Sequence, residues 1–211
     1  MKRTRKIRVL TVAILCGLVL CPSLAKATLI TIEIEGVVDS VWDTGNQLGG
    51  KIKTGDTITG TYTYDLSTPD TNPSAYVADY LHYASPCGVA LSVGGFEFKT
   101  DPANVDFLIE ITNNYPPADA YFLVSKHNIV IPNSVSVEDI SWFLYDPLGN
   151  ALTSAVLPED APVLDRWHLN DLRIESLRTF SIGGHVTYAV VPEPGTILLF
   201  GLVSLLLRKR P

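Results

Sequence analysis

The sequence predicts an all-β protein: an antiparallel β-sandwich, jelly-roll-like or immunoglobulin-like, between an N-terminal signal peptide and a short C-terminal transmembrane helix. Three observations carry this. Between residues 28 and 190 apolar residues recur with period two, as where Ile30, Ile32 and Ile34 alternate with Thr31, Glu33 and Glu35. Clusters of Gly, Pro, Asn and Asp separate these runs. No stretch shows convincing amphipathic helical spacing, although a helical alternative stays open at Val163 to Leu177.

The first strand is Thr28 to Val38, with Glu33 and Glu35 on its solvated face. Asp43-Thr44-Gly45-Asn46, Gly49-Gly50 and Thr54-Gly55-Asp56 form a turn-rich passage. Thr57 to Tyr64 is rich in β-branched and aromatic residues and reads as the second strand. Asp65 to Ala75 is a loop, and Tyr76 to Ala84 the next strand. Val89 to Lys99 reads as a hairpin about Gly94-Gly95. Val105 to Thr112 and Ala120 to Lys126 pair around Asn113-Asn114-Tyr115-Pro116-Pro117, and Ile140 to Tyr145 ends at Asp146-Pro147-Leu148-Gly149-Asn150. Leu172 to Ile182 and His185 to Val190 read as a last hairpin turning at Gly183-Gly184. Such a series of short strands suits two sheets packed face to face.

The start of the chain is built differently. Lys2, Arg3, Arg5, Lys6 and Arg8 form a basic region, Val9 to Leu20 an apolar one, and Ala25-Lys26-Ala27 an A-x-A cleavage site. Residues 1–27 therefore read as a leader removed by signal peptidase after Ala27. The short apolar run, followed by Pro22, argues against an uncleaved anchor. Cys16 and Cys21 leave with it, so the body keeps one thiol, Cys87, which cannot form an internal disulfide.

Trimming both ends changes the electrostatics. Of 16 Lys+Arg, six lie in the leader and three after Pro194, while 21 of the 22 Asp+Glu lie in residues 28–190. The body is therefore −14, against −6 for the whole chain. No basic stripe survives to neutralise phosphates, which excludes nucleic acid as the expected partner.

Within the body, chemistry-bearing patterns are few. His82, His127, His168 and His185 fit neither H-E-x-x-H nor a Cys/His zinc spacing. No G-x-S-x-G elbow and no P-loop occurs. Asp101, Asn104 and Asp106 offer hard oxygens in a turn-like context and are candidate ligands for calcium, the one cofactor the sequence suggests. The competing reading is that Asp and Asn sit in turns for backbone reasons. Of the aromatic residues Trp42, beside a turn, is the candidate for an exposed ring that stacks on a sugar, although aromatics on strands usually fill cores.

The chain closes on three parts in order. Pro192 and Pro194 flank Glu193 and hold the backbone extended, the form a processing enzyme needs. Thr196 to Leu207 is an apolar run of 12 residues broken only by Gly201 and Ser204. As a helix it spans roughly 18 Å, short against a hydrocarbon core of about 30 Å. Arg208, Lys209 and Arg210 form a basic stop, placed as the positive-inside rule places a cytoplasmic end.

Val191-Pro192-Glu193-Pro194, the small Gly195 and Thr196, the apolar run and the Arg/Lys cluster together resemble the PEP-CTERM sorting signal of exported bacterial proteins. The resemblance covers about the last tenth of the chain. It implies recognition by an exosortase, a membrane-embedded cysteine protease acting at or near the tripeptide, which is itself a recognition element. It also implies a transient stay in the inner membrane of a Gram-negative bacterium, held by the C-terminal helix. The destination is then the cell envelope, outer surface or extracellular matrix. The expected organisation is a leader over 1–27, a β-sandwich body over 28–190 and a sorting signal over 191–211. The expected function is that of an exported, non-enzymatic envelope or matrix protein. The alternative is a carbohydrate-binding module for exopolysaccharide, with Trp42 in its platform. A matrix-acting hydrolase stands third.

Overall fold

Alternation decides which way each strand faces. On the first strand Ile32, Ile34 and Val38 are buried while Glu33 and Glu35 are exposed, as the period-two pattern requires. A computed structural model of the chain describes residues 29–131, 135–176 and 179–192. Ten strands run through them: β1 (Leu29–Asp43), β2 (Thr57–Asp65), β3 (Val77–His82), β4 (Gly88–Val93), β5 (Phe96–Lys99), β6 (Phe107–Tyr115), β7 (Ala118–Ser125), β8 (Asp139–Asp146), β9 (Leu169–Ser176) and β10 (Phe180–Val190). The leader, with Ala25 and Ala27, and residues 193–211 lie outside the described residues.

The body is all-β, but the two-sheet expectation needs correction. All ten strands belong to one antiparallel sheet in the order β3-β6-β7-β8-β9-β10-β1-β2-β4-β5. Strands β6 to β10 are neighbours in chain order, an up-and-down run that joins β1 through β10, which is neither a jelly-roll nor an immunoglobulin order. The sheet curls until strands far apart in this order face each other. Tyr62 of β2 meets Trp142 of β8 edge to face at 5.9 Å, and Trp142 meets Tyr121 of β7 at 6.3 Å. These three rings are fully buried, with Phe98, Phe107 and Phe180 among the other large side chains of the core.

One sheet can do this because its central strands bend. The 15-residue β1 pairs with β10 through register shifts between Glu35 and Gly36 and between Val38 and Ser40. Each added residue kinks the strand and increases its twist. Past the second shift the faces exchange, so Val41 packs on the core while Trp42 points out.

Both outer strands are partly covered. On β3, Thr71 N–H donates to the Asp79 carbonyl and Asp79 N–H to Asp70 Oδ1, each at 3.0 Å. At the end of β5, Ile129 N–H donates to the Lys99 carbonyl and Asp101 N–H to the His127 carbonyl, each at 2.8 Å. Such cover shortens the free ladder that each outer strand offers another chain.

Two Gly-Gly pairs separate a good expectation from a poor one. At Gly94-Gly95 both φ angles are positive, 58° and 81°, and β4 turns into β5 there. Gly183-Gly184 lies inside β10 instead. A Cβ on Gly184 would stand 2.5 Å from the Val37 carbonyl oxygen and one on Gly183 2.8 Å from Ser40 Oγ. Those glycines serve close approach of β1 at its bends, and the chain reverses earlier, between Ser176 and Phe180. The helical alternative at Val163 to Leu177 reduces to one 3-10 turn, Leu164–Arg166, before β9 begins. Asn113, Asn114 and Tyr115 extend β6 and leave Pro116-Pro117 as the turn.

Candidate functional site

The stretch that carries the tail is β10, and its two ends are held differently. From Phe180 to Gly184 it is paired on both sides, with β9 and with β1. The last pair with β9 is Gly184 with Leu172. Two residues on, the side chain of Asn170, near the start of β9, takes over from that strand's backbone. Its Nδ2 donates to the Val186 carbonyl at 2.7 Å, and its Oδ1 accepts from Val186 N–H at 3.2 Å. The same Oδ1 accepts from Trp142 Nε1 at 2.8 Å, tying the clamp to the buried centre of the core. Past Val186 only β1 pairs with β10, through Glu35 with Tyr188, Ile34 with Ala189 and Glu33 with Val190. Thr187 Oγ1 adds a bond to the Glu35 carbonyl.

The motif begins without a spacer. Ala189 and Val191 pack against the core, and Pro192 follows directly. Proline has no amide hydrogen to continue a ladder, so β10 ends at Val190 for a local reason. Glu193 and Pro194, and the basic stop Arg208, Lys209 and Arg210, lie outside the described residues. Among the described residues no helix is long and apolar enough to cross a membrane.

Elsewhere several of the body's carboxylates hold loops. Asp101 Oδ1 accepts from Ala103 N–H at 2.9 Å, and Asp106 lies 3.8 Å from His127. The backbone N–H of Asn104 donates to the Asp101 carbonyl. Asp101 and Asn104 thus share a turn and Asp106 faces His127, and among the described residues no three His, Cys, Asp or Glu side chains group as a metal site. The deepest case is Asp119, fully buried, whose two oxygens accept from Asn114 and Leu152 N–H at 2.8 Å each. Asp146 accepts from Asn150 and Leu148 N–H, and these bonds hold it below the ordinary carboxylate value. These acids serve as turn caps.

The remaining candidates fall apart in space. Trp42 is 51% exposed, whereas Trp142 and Trp167 are buried. Tyr76 and Tyr115 are exposed side by side, 6.2 Å between ring centroids. His82 is buried, its Nδ1 against the Tyr80 carbonyl at 3.1 Å and its Nε2 accepting from Asp65 N–H at 3.2 Å. These partners fix the neutral Nδ1–H tautomer, and desolvation lowers its pKa. His185 Nδ1 lies 2.8 Å from Asp39 Oδ2 on the open outer surface, both side chains exposed. Cys87 is buried, and burial raises its thiol pKa, the opposite of an activated nucleophile. Sequence reasoning missed Asn170 altogether. It sits in Trp167-His168-Leu169-Asn170, a run without a turn or strand signal, and only the Trp142 and Val186 contacts reveal it.

Comparison with protein families finds one feature. Residues 190–210 match the PEP-CTERM protein-sorting motif, so the match starts on the last paired residue of β10. No curated protein and no solved structure matches the chain. The chain thus carries a PEP-CTERM sorting signal, which implies export and processing by an exosortase-type membrane protein.

Proposed function

We propose that this chain is a non-enzymatic protein of the cell envelope or extracellular matrix, delivered by its C-terminal sorting signal after signal peptidase removes residues 1–27. The observation that carries the reading is the sorting motif at residues 190–210 behind a β-rich body. The occupied carboxylates and the buried Cys87 support a body that binds or builds rather than catalyses. The test is intact mass in an exporting host that carries the sorting enzyme. The wild-type chain should lose both its leader and the segment from near Pro194 to Pro211. Replacing Pro192 and Pro194 by alanine should leave leader removal intact and abolish loss of the tail. Unchanged tail removal in that variant sinks the proposal.

A second reading gives the body a glycan to hold. The exposed Tyr76–Tyr115 pair and the exposed Trp42 favour it, because ring faces on a rigid sheet stack on sugar rings at little entropic cost. Retention of the body on exopolysaccharide, lost in a Tyr76→Ala/Tyr115→Ala or Trp42→Ala variant, is the expected outcome. No retention of the wild-type body on any glycan matrix removes this reading. The exposed His185–Asp39 contact is a base-and-carboxylate pair at hydrogen-bonding distance, and the hydrolase alternative rests on it. A His185→Ala variant with unchanged hydrolysis of matrix sugars and peptides removes that alternative.

A further inference from the structure

We infer that the sorting enzyme acts on an opened form of this protein, in which Thr187 to Pro192 has peeled from β1 as far as the Asn170 clamp. The inference rests on the proposal that the tail is processed at its Pro-Glu-Pro motif.

Its first premise is the absence of slack. Val190 is paired with Glu33, Val191 packs on the core, and the next residue is the first proline of the motif. Enzymes that cut or transfer peptides grip an extended chain on both sides of the scissile bond, making main-chain bonds along several residues. On the N-terminal side those residues are Thr187 to Val191, of which Tyr188 to Val190 are paired with β1 while Ala189 and Val191 pack on the core. The folded sheet and the enzyme therefore compete for the same backbone.

Its second premise is that the strand is built to open there and no further. Residues 180–184 are locked between two strands, and Val186 by both hydrogen bonds of Asn170. Beyond Val186 the strand has a partner on one side only, and the Glu35/Gly36 register shift interrupts the ladder at that same place. Local opening follows such boundaries, because its free energy is set by the packing and hydrogen bonding that the opened segment gives up. Releasing Thr187 to Pro192 frees roughly 20 Å of extended chain. An enzyme that binds only the open form sees an apparent affinity reduced by the open fraction.

The test uses the full chain in the exporting host, where the periplasm oxidises paired thiols. Glu33→Cys with Val190→Cys places cysteines directly opposite each other on β1 and β10, at a separation that suits a disulfide. Tail removal should slow by about ten-fold or more in the oxidised form and recover on reduction, as the open fraction falls and returns. Inserting Gly-Ser-Gly-Ser between residues 190 and 191, so that Val191 stays with the motif, should restore processing to the oxidised stapled chain, since the motif then reaches the enzyme without peeling. Processing of the oxidised chain at the wild-type rate overturns the inference, as does failure of the insertion to rescue it. Tail removal in the Pro192→Ala/Pro194→Ala chain is a separate failure, that of the processing proposal itself.

Discussion

The two ends of β10 belong to one strand of 11 residues, yet they are held by different means. The N-terminal end lies between two strands, close-packed on β1 through Gly183 and Gly184. The C-terminal end has β1 alone, then two prolines within the next four residues. The sheet is thus firm where β10 lies between β9 and β1 and weakly held where it hands the chain to the sorting signal. Between them stands a single side chain, Asn170, which imitates a strand for one residue and holds Trp142 at the same time.

Breaking that boundary should have the largest effect. Asn170→Ala leaves the Trp142 indole N–H and both backbone groups of Val186 without their partners. A loss of about 3 kcal/mol in urea unfolding is expected, from desolvated polar groups that no longer pair. Hydrogen exchange should also quicken from Val186 toward Val190. Equal stability of the variant would show that Asn170 is ornament rather than clamp.

The firm end comes next. Gly184→Ala drives a Cβ into the Val37 carbonyl, backbone that cannot swing aside as a side chain would. About 2 kcal/mol of destabilisation is expected, within the range of overpacking in a core. By contrast Val190→Ala, on the weakly held end, should cost about 0.5 kcal/mol or less, as at half-exposed sites. If the two variants cost the same, the strand is held uniformly and the comparison fails.

Acid offers a probe at a different junction, where the end of β2 meets β3. His82 there is bound in its neutral form, and burial lowers its pKa. The unfolded chain, with a histidine pKa of about 6.5, takes up a proton that the fold resists. Stability should therefore be full above that pH and fall as pH drops below it. The slope just below that pH should flatten in a His82→Gln variant followed by thermal unfolding across pH. Protonation of His82 Nε2 takes away its bond from the Asp65 N–H, so the β2 end is the part expected to loosen first.

The smallest effect is expected at the β3–β6 edge. Asp79 and Glu110 stand directly opposite, and burial with the facing Asp79 charge raises the Glu110 pKa. A raised carboxyl pKa means stability that is lost as pH climbs past the unfolded value of about 4.3. Glu110→Gln should thus raise the melting temperature at neutral pH by about 2 °C, with no gain at pH 4. Asp79 Oδ1, buried without a hydrogen-bond partner, would gain an amide neighbour in that variant.

Much of this was legible from residue order. The alternation in β1 and β2, the Gly94-Gly95 turn and the sorting motif all depend on neighbours within a few positions, where side-chain chemistry and backbone preference act directly. Even the exposure of Trp42 could be read, though its place on a bent strand could not. The Gly183-Gly184 reading failed because two glycines signal either a turn or a close approach, and only the neighbouring strand tells which. The acids of the Asp101 turn illustrate the same limit, since one oxygen-rich run suits a cation or its own backbone equally well.

The sequence alone determined an all-β body, where most strands begin and end, and the motif at which the chain is handed on, because these follow from local periodicity, turn chemistry and the restrictions of proline. Tertiary structure decided that ten strands form one curled sheet, that Asn170 closes its seam, and that no slack separates fold from motif. Those depend on which strands become neighbours, and pairing partners many residues apart leave no periodic trace in either strand.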